Sequence, residues 1–282
     1  MQWTVGKVKI TKIVELETTG STRFILPQAT YAEVQKLPWL IPHFATEEGR
    51  LKMSVHSLVV ETRSRRIVVD TGLGNDKEGR SVPTWNNRKG TFIDTMAAAG
   101  FPPDSIDTVL CTHLHVDHVG WNTRLVGGKW LPTFANARYV FGRTEYEHWR
   151  DRSDDLQQAA VFSDSVKPVV DAGKAELVAG DHQLCDEITL IPTPGHSPGH
   201  MSLLITSDGE KGLLTGDVAH HPCQMAHLDW SSTADSDPVQ SADMRRQLFS
   251  RFAGTPTLVI GGHFNAGHIK RDGDAFKFIA AA

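Results

Sequence analysis

Residues 112–118 read THLHVDH, placing three imidazoles and a carboxylate within seven positions. Imidazole and carboxylate are donors that zinc and similar first-row ions accept. Along an extended segment His113 and His115 point the same way, whereas Asp117 and His118 follow one turn later and point elsewhere. The spacing describes two half-sites, and each needs more donors from distant chain. Three candidates stand beside glycines at predicted strand ends, where the missing side chain lets backbone approach a crowded centre. They are His196 in TPGHSPGH, Asp217 in TGDV and His263 in IGGH. With them the count closes: His113, His115 and His196 are expected to hold one ion, Asp117, His118 and His263 the other, and Asp217 to bridge the pair.

Two divalent ions bring four positive charges, against three negatives from Asp117, Asp217 and a shared hydroxide. A centre left net positive suits an anionic transition state. Coordination lowers the pKa of bound water from about 15.7 toward about 7. The expected reaction is attack of a hydroxide bridging two ions, zinc being the expected metal, on an electrophilic carbonyl or phosphoryl centre. Asp117, Asp217 and His220 are assigned to catalysis, His220 as a partner for substrate oxygen or as a proton relay. Ser197 has no G-x-S-x-G elbow around it, and nothing marks Cys223 as an activated nucleophile.

The elements that must position these residues follow from periodicity. Alternation predicts strands within 3–16 and over 54–62, and 65–74 ends a strand in a Gly turn. A helix over 91–100 closes at Gly100, and the buried strand 107–112 delivers the histidine cluster at its carboxyl end, where open α/β sheets place chemistry. Strand 137–142 leads into a helix at RTEYEHWR that continues in pieces to residue 172. Strands 187–193, 201–207 and 211–218 precede a helix over 237–254, capped by Asp237 with Pro238 in its first turn. Strand 257–263 and a hairpin turning at Asp272-Gly273 close the chain.

Length and composition set the frame. At 282 residues, 40% hydrophobic and net charge −4, the chain is expected to form a single domain over 1–282 with its own core. No basic block argues for nucleic acid, and no apolar run reaches the roughly 20 residues that span a bilayer. Cys111, Cys185 and Cys223 form no C-x-x-C pair, and MQWTVGKVKITKIVELE lacks a signal's apolar core, so a cytoplasmic location is expected. The Pro- and aromatic-rich segment 17–53 is expected to be a loop that walls the pocket or joins two copies in a homodimer through LPWLIPHF.

HLHVDH, the GH of 195–196, the GD of 216–217 and the GH of 262–263 occur in one order, with VVDTG upstream. In this the sequence resembles the metallo-β-lactamase superfamily of binuclear hydrolases. The resemblance implies an α/β fold of the αββα type, with two packed mixed sheets flanked by helices and the metals at one edge. It also implies that Asp70 hydrogen-bonds and orients a ligand imidazole. The full H-x-H-x-D-H pattern argues against the β-lactamases themselves. Only 19 residues (264–282) follow His263, so the helical thioester-binding domain of glyoxalase II enzymes is not expected, nor is the insertion of RNA-processing members.

The stretches THLHVDHVGWNT, ARYVFGRTEYEHW and GDVAHHPCQ look most like the methyl parathion hydrolase and lactonase branch. The expected substrate is therefore an ester or lactone, with organophosphate triesters as a side activity. His220 stands where acyl-homoserine lactonases often carry a tyrosine, which argues for other lactones. Trp39, Phe44, Trp121 and Phe264 are the expected apolar walls of the pocket. The rival readings are a phosphodiesterase or thioesterase of the same fold, and a mono-iron oxygenase resembling persulfide dioxygenases.

Overall fold

The alternating amino-terminal run folds as a hairpin, β1 (Gln2–Val5) with β2 (Val8–Gly20). This is seen in a computed structural model that describes residues 1–20, 22–152 and 154–281. Ser21, in the segment expected as a loop, and Ser153, in the expected helical stretch, lie outside the described residues.

The remaining strands of the first half are β3 (Leu51–Glu61), β4 (Arg66–Val69), β5 (Thr108–Leu110), β6 (Thr123–Val126), β7 (Lys129–Pro132), β8 (Arg138–Gly142) and β9 (Ala175–Val178). The second half supplies β10 (Gln183–Cys185), β11 (Ile188–Pro192), β12 (Met201–Ser207), β13 (Glu210–Leu214), β14 (Leu258–Ile260), β15 (Gly267–Asp272) and β16 (Ala275–Ala280). One sheet runs β1-β2-β3-β4-β5-β8-β9, the other β10 to β16 in chain order, and β6 and β7 form a separate two-stranded sheet.

Both large sheets are mixed. Neighbours joined by tight turns are antiparallel, whereas β4–β5, β5–β8, β8–β9 and β13–β14 are parallel. Parallel neighbours need long crossovers; α-helices lie in three of the four, and the β6–β7 hairpin lies in the link from β5 to β8. Helix Phe92–Ala98 links β4 to β5, Arg143–Arg150 begins the link from β8 to β9, and Pro238–Phe252 links β13 to β14. Asp237 caps the last of these, accepting from the Val239 and Gln240 amides, as its sequence position predicts.

Apolar side chains form three layers. Leu58, Val60, Val69 and Leu110 of one sheet meet Leu190, Leu203, Leu214 and Ile260 of the other between the sheets. Outside the first sheet, Val59, Val68 and Val109 pack on Phe92 and Met96; outside the second, Leu213 and Val259 pack on Leu248 and Phe249. The result is the expected two packed mixed sheets flanked by helices.

The expected loop 17–53 is shortened at both ends, because β2 runs to Gly20 and β3 begins at Leu51. Between them lie the short helices Thr22–Ile25 and Tyr31–Gln35 and a 3-10 turn, Pro38–Leu40. Leu40 and Phe44 are buried in the outer layer of the second sheet, so this chain's own core takes up much of the segment's apolar surface.

Candidate metal centre

Asp70 follows β4, the 113–118 cluster follows β5, His196 follows β11, Asp217 follows β13 and His263 follows β14. The strand ends deliver these loops to one edge of the sandwich. There Asp217 Oδ2 lies 3.0 Å from His263 Nε2, 3.2 Å from His118 Nε2, 3.6 Å from His196 Nε2 and 4.0 Å from His113 Nε2. His196 Nε2 is 3.1 Å from His113 Nε2 and 2.9 Å from His115 Nδ1. Asp117 closes the other side, 3.7 Å from His118 Nε2 and 3.6 Å from His263 Nε2. Six of the seven predicted donors fall in the two predicted groups, His113–His115–His196 and Asp117–His118–His263, and the seventh, Asp217, groups with His113 and His118 and with His196 and His220.

Outer partners decide which ring nitrogens face inward. His118 Nδ1 donates to Asp70 Oδ2 (2.9 Å), His263 Nδ1 to the Ser54 carbonyl (3.1 Å) and His196 Nδ1 to Asp235 Oδ1 (2.9 Å). His113 Nδ1 donates to Thr112 Oγ1 (3.0 Å), whose hydroxyl donates to Asp70 Oδ2 (2.9 Å). The Thr112 amide occupies Asp70 Oδ1 at 2.7 Å. With their outer nitrogens protonated, His113 Nε2 and His196 Nε2 present lone pairs to each other at 3.1 Å. Lone pairs at such range repel unless a cation sits among them. His118 Nε2 and Asp217 Oδ1 are also buried without a hydrogen-bond partner among the described residues. Donor chemistry, spacing and unpartnered atoms all fit metal ions.

Asp217 is aimed by its surroundings. Its amide donates to His200 Nε2 (2.9 Å), and His200 Nδ1 donates in turn to Thr193 Oγ1 (2.8 Å). Gly216 adopts φ +54°, which a side chain rarely takes. Gly262 leaves room for the carboxylate, since a Cβ there would fall 2.2 Å from Asp217 Oδ1. Burial alone would raise the Asp217 pKa, but the imidazoles of His263, His118 and His220 hold it well below the usual carboxylate range. Burial, reinforced by neighbouring imidazoles, pushes His113 and His115 well down, so both are neutral donors at pH 7.

A cavity of about 960 Å³ opens over the donors, reached by His115, Asp117, His196, Asp217 and His263. His220 also lines it, with Nε2 3.2 Å from Asp217 Oδ2. Its apolar wall is Phe24, Ile25, Met53, Trp85, Val116 and Trp149. The four expected wall residues lie elsewhere, because each finds apolar or polar partners inside the fold. Phe44 and Phe264 both pack on Phe278, each at 5.4 Å between ring centroids, and Trp39 packs into the same outer layer. Trp121 stacks on Phe92 at 5.9 Å and donates to Glu15 Oε1 (2.9 Å).

The metallo-beta-lactamase superfamily profile matches residues 51–263, a span that holds all seven donors. The chain belongs to this superfamily. Among curated relatives, N-acyl homoserine lactonase AiiA of Bacillus thuringiensis subsp. kurstaki is 28% identical over 183 residues, covering 60% of this chain and 66% of that protein, just short of two thirds of its length. N-acyl homoserine lactonase AttM of Rhizobium radiobacter is 32% identical over 135 residues, covering 45% and 47%. Among solved structures, the hydrolase AbOPH superposes with TM-score 0.82 at 22% identity, covering 100% of this chain and 97% of that one. AidC, a dizinc quorum-quenching lactonase solved with its product, gives 0.79 at 20% identity, with the same coverage. At those identities the superpositions speak for the fold. In this superfamily member, as in the expectation for Asp70, carboxylates behind the imidazoles set their orientation.

Two of the carboxylates behind the site have no motif in the sequence. Asp235 holds His196 and lies 3.7 Å from the buried Arg245. Glu145 accepts from the Leu114 amide, Trp149 Nε1, Ser197 Oγ and the Gly199 amide, and so ties the two histidine loops together. Asp235 sits in a polar run with no periodicity, and Glu145 reads as one more acid on an amphipathic helix. His200 did carry a signal, as the second histidine of GHSPGH.

Proposed function

We propose that this protein is a dinuclear zinc hydrolase of lactones and carboxylic esters, with phosphotriesters as a secondary substrate class. The observation that carries the reading is the single oxygen, Asp217 Oδ2, facing imidazoles of both half-sites at the floor of an apolar-walled cavity. His113, His115 and His196 would hold one zinc ion, Asp117, His118 and His263 the other, and Asp217 faces both groups; such ions would supply Lewis acidity and an acidified water at neutral pH.

The chain's own residues do the rest. Asp70, Asp235 and the Ser54 carbonyl keep lone pairs pointed inward, so no reorganisation is needed as charge develops. Both His220 nitrogens lack a hydrogen-bond partner among the described residues, and the ring faces the cavity. It is placed to carry a proton to the departing oxygen. Met53, Ile25, Val116 and Trp149 offer a dry surface to the acyl side of a substrate, which suits an alkyl chain better than a sugar. The relatives' names bring acyl-homoserine lactones back into consideration despite His220.

The assay compares kcat/KM of zinc-replete protein on acyl-homoserine lactones, other lactones, aryl esters and phosphotriesters. Lactones are expected to rank first, with turnover lost after chelation and restored by zinc. Full turnover in metal-stripped protein would overturn the reading. We further propose a homodimer, for which Trp39 and Ile41, only half-buried, leave some apolar surface; light scattering at assay concentration tests it.

A further inference from the structure

Behind the donors, on the face of β3 turned toward the second sheet, stand Ser54, His56 and Leu58. Lys12 Nζ donates to Ser54 Oγ (2.8 Å) and to Asn265 Oδ1 (2.6 Å). An ammonium has no lone pair, so the Ser54 hydroxyl oxygen accepts that bond, and among the described residues His56 Nδ1, 3.0 Å away, is the acceptor in reach of the hydroxyl's own proton. That pairing assigns the tautomer: Nδ1 accepts and Nε2 carries the hydrogen. Burial, helped by the positive charge of Lys12, keeps the ring neutral.

His56 is 4% exposed, and its Nε2 has no partner among the described residues. The ring borders an internal space of about 10 Å³ between the sheets, whose other walls include Asp70, Thr112, Gly216 and Gly262. A space of about 10–15 Å³ on this measure is room for one water, provided polar partners surround it. Those partners are present: an N–H donor on one side, a carboxylate and glycine backbone on the other.

We propose that His56 is a positioning residue for the Asp117–His118–His263 half-site, acting through one buried water that its Nε2–H holds against the Asp70 carboxylate. Asp70 fixes the His118 ring through Nδ1. Ser54, tied to His56 by its hydroxyl, fixes the His263 ring through its carbonyl and donates its amide to the His263 carbonyl at 3.0 Å. One chain of contacts, Lys12–Ser54–His56–water–Asp70, thus runs behind both imidazoles of that half-site. The same carboxylate reaches His113 of the other half-site only through the Thr112 hydroxyl, one bond further out, while Asp235 holds His196 from the opposite side. The inference rests on the metal centre proposed above and is independent of the substrate.

The test starts from zinc-loaded protein, which is titrated with chelators of rising affinity while the zinc remaining is counted. Wild type is expected to release its two ions in resolved or overlapping steps. His56→Leu should loosen one ion by about 10–100-fold, the usual effect of losing an outer partner, and the other, reached only through Thr112, by less. His56→Gln, which again offers a donor and an acceptor, should recover most of the loss. Lys12→Met, acting at the far end of the chain, should loosen the same ion, and it carries the test if His56→Leu fails to fold. A crystal structure of the zinc-loaded wild type should show a water within hydrogen-bond distance of His56 Nε2. The proposal is overturned if the folded variants hold both ions as tightly as wild type, if both ions loosen equally, or if the space is dry. Wild type that takes up fewer than two ions overturns the metal reading along with the proposal, whereas a two-zinc protein without lactonase activity overturns only the substrate reading.

Discussion

Asp217 Oδ2 lies 3.0 Å from His263 Nε2, and the same oxygen is 3.6 Å from His196 Nε2. One atom therefore faces donors from both half-sites. Asp217→Ala is expected to lower zinc content from two per chain toward one. Because losing even an outer partner costs about 10–100-fold, hydrolysis should fall by at least about 100-fold. Elemental analysis and kcat/KM on a lactone check this together. An Asp217→Ala protein that keeps two ions and full turnover would end the account.

The carboxylate keeps its place only because Gly262 has no side chain. A Cβ there would sit 2.2 Å from Asp217 Oδ1 and 3.1 Å from the Gly216 carbonyl carbon. Gly262→Ala is thus expected to displace Asp217 without replacing any donor. Zinc affinity should drop about 10-fold or more, on the scale of a lost outer partner, while the apo protein still melts cooperatively. Unchanged zinc affinity in this variant would show that the loop moves aside freely.

Much of this centre was legible before any coordinates. HLHVDH and the three glycine-flanked donors sufficed, because metal ligation restricts both residue type and spacing to a short menu. The strand expected over 201–207 is observed with the same bounds, Met201–Ser207. The hairpin of β6 and β7 went unseen although Gly127-Gly128 is a turn signal between its strands, and β9 and β10 are too short for alternation to show. The pocket walls were misassigned for a different reason. An aromatic near a motif in sequence is as free to turn inward as outward, and Phe44 and Phe264 turn toward Phe278. Of the acids behind the imidazoles only Asp70 stood in a motif, and Asp235 and Glu145 were invisible because orientation is a three-dimensional property. Asp235 meets His196 across 39 residues of chain.

Asp235 offers a clean measure of orientation as distinct from ligation. Burial would raise its pKa, but the bond from His196 and the nearby charges of His220 and Arg245 hold it down, so it is the carboxylate that receives the His196 Nδ1 proton. Asp235→Asn keeps an acceptor in place, whereas Asp235→Ala removes it. Zinc in the His113–His115–His196 half-site should loosen about 10–100-fold in the alanine variant and by less in the asparagine variant. Chelator competition reads the difference, and equal losses in the two variants would argue that the packing beside Arg245, not the acceptor, is what matters.

Lys77 makes a prediction about pH that is separate from the metal centre. Its side chain has no exposure, and Nζ donates to the Asp164 carbonyl (3.1 Å) and to Thr123 Oγ1 (2.6 Å), 3.7 Å above the Trp130 ring centroid. The Asp164 carboxylate is already taken by two bonds from Arg80, at 2.8 and 2.9 Å. Burial, opposed by Asp164, brings the Lys77 pKa down from 10.5 to about 7. Between those values the unfolded chain holds a proton that the folded chain has released, so raising the pH favours folding across that window. The stabilising contribution is complete above 10.5 and is lost as the pH falls through about 7. Lys77→Met removes the titration while filling the same space. The Tm of wild type relative to Lys77→Met, measured by calorimetry at matched zinc content, should rise from about pH 7 toward pH 10 and level off below neutrality. A difference that stays flat, or that falls with pH, would mean the ammonium remains charged beneath the hairpin.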